Sequence, residues 1–146
     1  MTIAAPRWRE NWRIIAPPGA ARIDVERSAA TRRALLDEVA NLPAGTPVVI
    51  LARAPGAIGR CRQFASAAGV TVEREYLTFP SAAAPCHLIE DARASISVYV
   101  DTVLVAPPGK LYSRPVELCL SVLRAVPSWR LVRRIAPGRA VVGRRV

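Results

Sequence analysis

The sequence predicts a single α/β domain, built as a three-layer sandwich with a mostly parallel sheet and an antiparallel C-terminal hairpin. One observation is that apolar runs of strand character alternate with segments of helical spacing through the first half of the chain. Another is that four apolar runs end in Ala-Pro-Gly or Ala-Pro-Pro-Gly, which is typical of tight turns after strands. With 146 residues, of which 51% are hydrophobic, the chain is long enough to bury one core without disulfides.

Strands and helices alternate in the first half of the chain. In order, the predicted elements are a short strand at Trp12–Ala16, a helix capped by Ser28 and ending near Asn41, a strand at Pro47–Ala52, a helix at Ala57–Ala68 and a strand at Thr71–Phe79. The second strand is apolar throughout, which indicates a strand covered on both faces. The second helix has an inward stripe of Ile58, Cys61, Phe64 and Ala65. Gly69 stands at its C′ position, and Pro80 ends the last strand.

The second half predicts two helices and the hairpin. Asp91 caps a helix through about Leu104, although the β-branched residues within it also permit a strand; the helix is favoured. Ser113-Arg114-Pro115 opens another helix, which ends at Pro127. The segments Trp129–Ile135 and Arg139–Arg145 flank Ala-Pro-Gly and are expected to pair as an antiparallel hairpin.

Two passages resemble a known family. The stretch Val48–Tyr76 reads strand, Gly-containing turn, helix, Gly and acid-bearing strand, and Trp129–Arg145 is similar to a C-terminal hairpin that closes a sheet. Together they resemble the Rossmann-like domain of class I S-adenosylmethionine-dependent methyltransferases. That family's Gly-rich loop is reduced here to Gly56-Ala57-Ile58-Gly59. The resemblance therefore implies a methyltransferase-like domain, degenerate or accessory to a larger assembly.

The resemblance also implies a site for the cofactor. Gly56 and Gly59 would belong to the cofactor loop, and Glu73 or Glu75 would bind the ribose hydroxyls of S-adenosylmethionine. Glu73 and Glu75 are two residues apart on the predicted strand, so they are also expected to share one face of it.

The turn from Arg53 to Arg60 is the best local candidate for an anion site. If a helix begins near Ala57, its free N–H groups and positive dipole end favour a phosphate or carboxylate, and Arg53 and Arg60 add full charges. The alternative is that Pro55-Gly56 makes a tight strand-to-helix turn and that Gly59 lets the helix approach the sheet.

The C-terminal end carries the strongest charge asymmetry. The formal net charge is +10, and residues 118–146 contain seven arginines and no acid. Arg130, Arg133 and Arg134 are therefore candidates for binding an anionic partner, either nucleic acid or an acidic protein. This noncatalytic binding module is the alternative function. A solvated edge that discourages aggregation, or pairing with a partner protein or a second copy, also remains open.

The remaining features set the compartment. The N-terminus lacks the pattern of a signal peptide, and no apolar run is long enough to span a bilayer, so a cytoplasmic protein is expected.

Residues 1–11 are expected to form an N-terminal arm, packed through Trp8 and Trp12. The three cysteines form no C-x-x-C pair and lie near one histidine, His87, so no metal site and no assigned catalytic residue are predicted.

Overall fold

The computed structural model describes residues 9–25, 28–103, 115, 117–118, 121–122 and 128–146. The chain divides into two compact units, a sheet unit formed by Met1–Leu88 with Ala136–Val146 and a helical unit formed by Ile89–Ile135. Trp8, Cys119 and most of the helix predicted from Ser113 lie outside the described residues. Among the helices in the described ranges, none is long and apolar enough to cross a membrane.

Most of the locally predicted elements are present. They are a 3-10 helix at Asn11–Ile14, strands β1 (Ala21–Val25), β2 (Pro47–Arg53), β3 (Val70–Phe79), β4 (His87–Glu90) and β5 (Gly138–Arg145), and helices α1 (Ala29–Ala40), α2 (Ala57–Ala67), α3 (Arg93–Thr102) and α4 (Ser128–Ile135). The predictions of α1, β2, α2 and β3 are confirmed within one or two residues, and the region after Asp91 is the favoured helix. Gly69 follows α2 with φ +63°, as expected of a C′ glycine.

The strands form a mixed sheet in the order β1-β2-β5-β3-β4. β1 and β2 run parallel, with Ile23 opposite Ile50. β5 runs antiparallel to both of its neighbours. In this register, Val141 lies opposite Ile50 of β2 and opposite Glu75 of β3. The predicted α/β class is confirmed, but the sheet is mostly antiparallel, so the prediction of a mostly parallel Rossmann-like sheet is wrong.

The predicted C-terminal hairpin is wrong because its two halves adopt different structures. Trp129–Ile135 lies in helix α4, where the apolar residues follow helical rather than alternating spacing. Arg139–Arg145 lies in β5, which inserts between β2 and β3 instead of pairing with the preceding segment. Gly138–Gly143 is buried throughout, as expected of a central strand.

The N-terminal strand was predicted in the wrong place. Trp12 and Ile14 belong to the 3-10 helix, and the first strand is Ala21–Val25. In β1, Ile23 and Val25 are buried and Asp24 is exposed, which is the alternation of a strand with one covered face. The predicted packing of Trp12 against the domain is confirmed.

Among the described residues of the sheet unit, one hydrophobic cluster lies on each face of the sheet. The larger joins α1 and α2 to the sheet through Val39, Cys61, Phe64 and Ala65 together with Ile23, Val25, Val48, Ile50, Ala52 and Val141. On the other face, Trp12, Ile15 and Leu88 pack against Val49, Leu51, Tyr76, Ala140 and Val142. Both faces of β2 are thus covered, which accounts for its unbroken apolar sequence.

Candidate functional site

A cavity of about 500 Å³ opens in the sheet unit where β1 and β2 end. Val25 at the end of β1 lies opposite Ala52, so the carboxyl ends of the two parallel strands meet at one edge of the sheet. Open sheets commonly bind ligands at such an edge, and the volume is typical of small-molecule sites. The lining residues are Arg22, Asp24, Val25, Leu51, Ala52, Arg53, Ala54, Arg60, Ala82 and Ala83.

The loop between β2 and α2 leads from the cavity into the helix. Gly56 is the N-cap of α2 and has φ +74°, a left-handed conformation that L side chains rarely adopt. This conformation lets α2 begin at Ala57, directly after the loop. Because glycine has no side chain, Gly56 cannot cap the first N–H groups of α2, and these groups together with the helix dipole favour an anion. The bond between Ala54 and Pro55 in this loop is cis.

Arg60 stabilises the loop. Its Nη1 donates a hydrogen bond to the carbonyl oxygen of Pro55 at 2.6 Å, and its Nη2 donates to the carbonyl oxygen of Arg53. Its Nε is buried and has no hydrogen-bond partner among the described residues. Since carbonyl groups do not neutralise a guanidinium, Arg60 keeps its full positive charge beside the cavity.

Arg53 is the most available cation of the cavity. It is the last residue of β2, and its side chain is exposed. Its guanidinium makes no ion pair or hydrogen bond with any described residue, and its backbone carbonyl oxygen accepts a hydrogen bond from Arg60. Arg53 therefore has five N–H donors free for a ligand.

Strand β1 contributes an ion pair to the cavity lining. The Nε of Arg22 donates to Oδ2 of Asp24 at 2.8 Å, and its Nη2 donates to Oδ1 at 3.1 Å. Arg22 also lies over the ring of Trp12, 5.6 Å from the centroid, which holds its guanidinium in place. The ionisable lining is three arginines and one aspartate, so the cavity has a positive potential.

Asp24 was missed by the sequence analysis. Its strand, β1, lies between Pro-Pro-Gly and a charged pair and was not predicted. The signal was present, since Arg22, Ile23, Asp24 and Val25 alternate between polar and apolar residues.

The predicted cofactor residues are only partly brought together. Gly56 lies in the loop beside the cavity, whereas Gly59 is an exposed residue in the first turn of α2. A Cβ added at Gly59 would meet nothing within 4 Å, so this glycine is not needed for close approach of the helix to the sheet.

Glu73 and Glu75 lie elsewhere, because β5 separates their strand from β2. Glu75 pairs with Arg62 of α2 at 2.7 Å, and Glu73 pairs with Arg144 of β5 at 2.8 Å. Neither glutamate lines the cavity at the ends of β1 and β2.

The expectation that Glu73 and Glu75 share one face of β3 is also wrong. The register shifts between Val72 and Arg74, so Glu73 is an extra residue in a β-bulge. Glu75 lies opposite Val141, which packs on the helix-covered face. Arg144, the partner of Glu73, is three positions beyond Val141 and so belongs to the other face.

The arginines of the predicted basic segment lie in two different elements, helix α4 and strand β5. In β5, Arg139 is 4% exposed, Arg144 pairs with Glu73, and Arg145 donates to the carbonyl oxygens of Val39 and Ala40. These side chains have internal roles in a central strand, and the segment is not an Arg-rich edge.

In helix α4 the spacing of Arg130, Arg133 and Arg134 places all three on one side. Arg133 pairs with Asp91 at 2.9 Å, while Arg130 and Arg134 are exposed.

The prediction that Asp91 caps the helix after it is wrong, because the N-cap of α3 is Ala92.

Among the described residues, the groups available for thiol or imidazole chemistry are Cys61, Cys86 and His87. Cys61 is fully buried, and burial raises the pKa of its thiol to about 12. Its Sγ donates a long hydrogen bond to the carbonyl oxygen of Ile50, at 3.9 Å. His87 is exposed on β4, and the described residues contain no group of three metal-binding side chains.

No protein-family model, curated protein or solved structure matches the chain.

Proposed function

We propose that this protein is a noncatalytic binding module that takes a small anionic ligand in the cavity at the ends of β1 and β2. The observation that carries this proposal is Arg53, a residue that lines the cavity and whose guanidinium has no partner among the described residues. A planar guanidinium with free donors matches the geometry of phosphate or carboxylate oxygens.

Two further features support an anion at this position. The loop from Arg53 to Gly56 directs the start of α2, with its free N–H groups, toward the same edge of the sheet. Arg60 adds a second positive charge while its side chain holds the loop. Because Arg60 is occupied by carbonyl oxygens, we assign direct ligand contact to Arg53 and a positioning role to Arg60.

The shape of the site favours a small ligand over a nucleic-acid duplex. A cavity of about 500 Å³ has room for a small molecule, whereas duplex DNA is bound by exposed stripes of positive charge. The other predicted arginines provide no such stripe in β5, because Arg144 and Arg145 have partners within the chain. The ligand class is therefore a phosphate- or carboxylate-bearing metabolite.

Inorganic pyrophosphate is a suitable first probe. A ligand that binds only the folded protein raises its unfolding temperature with concentration. We expect the Tm to rise with pyrophosphate and to saturate, and to rise less at high salt. An unchanged Tm for concentrations up to the millimolar range would contradict the proposal.

A nucleoside cofactor in the same cavity is the second candidate, and S-adenosylmethionine, the cofactor implied by the resemblance, stays a prediction. The specific observation in its favour is Asp24, a carboxylate at the end of the strand next to the Gly56 loop. Arg22 uses one lone pair on each oxygen of Asp24, which leaves acceptor sites for ribose hydroxyls. In this second candidate function, Asp24 binds the ribose hydroxyls, the role that the resemblance gave to Glu73 or Glu75. Titration with S-adenosylhomocysteine tests it, and Asp24→Asn is expected to weaken that binding but not the binding of pyrophosphate.

A further inference from the structure

The exposed side of α4 in the helical unit combines aliphatic and basic side chains. Leu131 and Ile135 are four residues apart and are 45% and 61% exposed. Arg130 and Arg134 are also four apart and exposed, and on a helix they form a row beside the aliphatic pair. We call these four residues the α4 face.

Two residues next to the α4 face, Val132 and Arg133, fix the rotation of the helix. Val132 is 2% exposed, so it lies on a buried side of the helix. Arg133 pairs through Nε with both carboxylate oxygens of Asp91, at 2.9 and 3.0 Å, and the Asp91 side chain is itself 2% exposed. Burying Leu131 and Ile135 by turning the helix would break this pair and expose Val132. The α4 face is thus held outward by the structure.

Trp129 lies at the start of the same helix. It is partly exposed, and the guanidinium of Arg130 lies 5.2 Å from the centroid of its ring. Tryptophan favours the level of lipid headgroups because one part of its ring is apolar and its N–H is polar.

We propose that the α4 face binds the surface of an anionic lipid bilayer. Arg130 and Arg134 would contact headgroup phosphates, and Leu131 and Ile135 would enter the boundary between headgroups and acyl chains. The charge of the face is complementary to anionic lipid. A nucleic acid would satisfy the arginines but would leave both aliphatic side chains in water, so lipid is the better match. The helix has eight residues, so the contact is peripheral and reversible.

The experiment is co-sedimentation of the full chain with vesicles of phosphatidylcholine, alone or with about 30% phosphatidylserine. One variant, Arg130→Gln/Arg134→Gln, removes the charges, and another, Leu131→Ser/Ile135→Ser, removes the aliphatic groups and keeps the charges. Ile14→Ser is the aliphatic control, because Ile14 is 78% exposed in the sheet unit. Arg33→Gln/Arg93→Gln is the charge control, because both arginines are exposed and make no ion pair with described residues. Circular dichroism checks that every variant is folded.

We expect the native protein to bind only the anionic vesicles. The charge variant should lose about thirtyfold in partition coefficient, and the aliphatic variant about tenfold. Both controls, and Arg53→Gln in the cavity, should bind like the native protein, which separates this surface from the proposed anion site. The proposal is overturned if anionic vesicles are not bound at low salt or if the aliphatic variant binds as tightly as the native protein. It is equally overturned if a nucleic-acid duplex is bound with the same dependence on Leu131 and Ile135.

Discussion

Glu75 of β3 accepts two hydrogen bonds from the Arg62 guanidinium of α2, at 2.7 and 2.8 Å. This pair joins the helix that follows the cavity loop to a strand that lies two positions away from β2 in the sheet. It also occupies a carboxylate that the sequence analysis predicted to bind a ribose. The role of Glu75 is therefore to hold α2 on the sheet.

Replacing this glutamate should reduce stability without changing ligand binding. The side chain of Arg62 is 56% exposed and that of Glu75 is 17% exposed, so solvent screens the pair. We expect Glu75→Gln to lower the free energy of unfolding by about 1 kcal/mol. Urea denaturation measures this change. An equal loss of pyrophosphate or S-adenosylhomocysteine affinity would contradict the separation between Glu75 and the cavity.

The two glycines Gly143 and Gly59 should respond in opposite ways to alanine. A Cβ at Gly143 would collide with the backbone oxygen of Thr71 and lie 2.9 Å from the side chain of Val70, whereas one at Gly59 would meet nothing within 4 Å. We expect Gly143→Ala to cost about 2–3 kcal/mol through overpacking. Gly59→Ala should stabilise by up to about 1 kcal/mol, because alanine favours the helix. Thermal and urea unfolding compare the two, and a destabilised Gly59→Ala would restore a packing role for that glycine.

The free energy of unfolding should depend on pH through the raised pKa of Cys61. Burial is the main cause that raises its pKa from 9.0 to about 12, with Glu75 also raising it and Arg60 and Arg139 lowering it. Above pH 9 the unfolded chain loses the thiol proton while the folded protein keeps it. Stability therefore falls as the pH rises, by up to about 1.4 kcal/mol per pH unit, and is unaffected below pH 8.

The matched control is Cys61→Ala, measured at each pH. The difference in unfolding free energy between the two proteins should be constant up to about pH 8 and should fall above it. A constant difference through pH 10.5 would show that the thiol ionises as readily in the folded protein as in the unfolded chain.

Asp91 and Arg133 provide a prediction for the helical unit. Removing the guanidinium leaves a nearly buried carboxylate without this partner, since the side chain of Asp91 is 2% exposed. We expect Arg133→Gln to cost up to about 3 kcal/mol, and Arg134→Gln, at an exposed position, to change stability by less than about 0.5 kcal/mol. Urea denaturation distinguishes them. Equal effects would mean that the pair does not anchor α4.

The elements defined by local signals were predictable. The apolar run of β2, Gly56 before α2 and Gly69 after it depend on neighbouring residues, and each has its predicted place. These signals also located the loop that contributes Arg53 and Arg60 to the cavity.

The order of the strands was not predictable in this way. The last strand could pair with the segment before it or insert between β2 and β3, and which of the two occurs depends on contacts between distant parts of the chain. The position of β5 determines which acidic residue lies beside the Gly56 loop. With β5 between β2 and β3, the neighbouring carboxylate is Asp24 and not Glu73 or Glu75.

Local ambiguity accounts for the remaining errors. Trp129–Ile135 was predicted as a strand, in which Arg130 and Arg133 would point to opposite faces; in helix α4 they lie on the same side. In β3, the bulge at Glu73 reversed the alternation, and a bulge has no reliable sequence signal in this segment.

The most direct measurement is calorimetric titration of pyrophosphate into the native protein, into Arg53→Gln and into Arg33→Gln. Arg33 is an exposed arginine of α1 that makes no ion pair with described residues, so its variant has the same net charge as Arg53→Gln. The account predicts saturable binding that Arg53→Gln weakens by about thirtyfold, since a hydrogen bond to a charged group contributes on the order of 2 kcal/mol. Arg33→Gln should bind like the native protein. Absence of saturable binding, or equal affinities for the two variants, would contradict an anion site at the ends of β1 and β2.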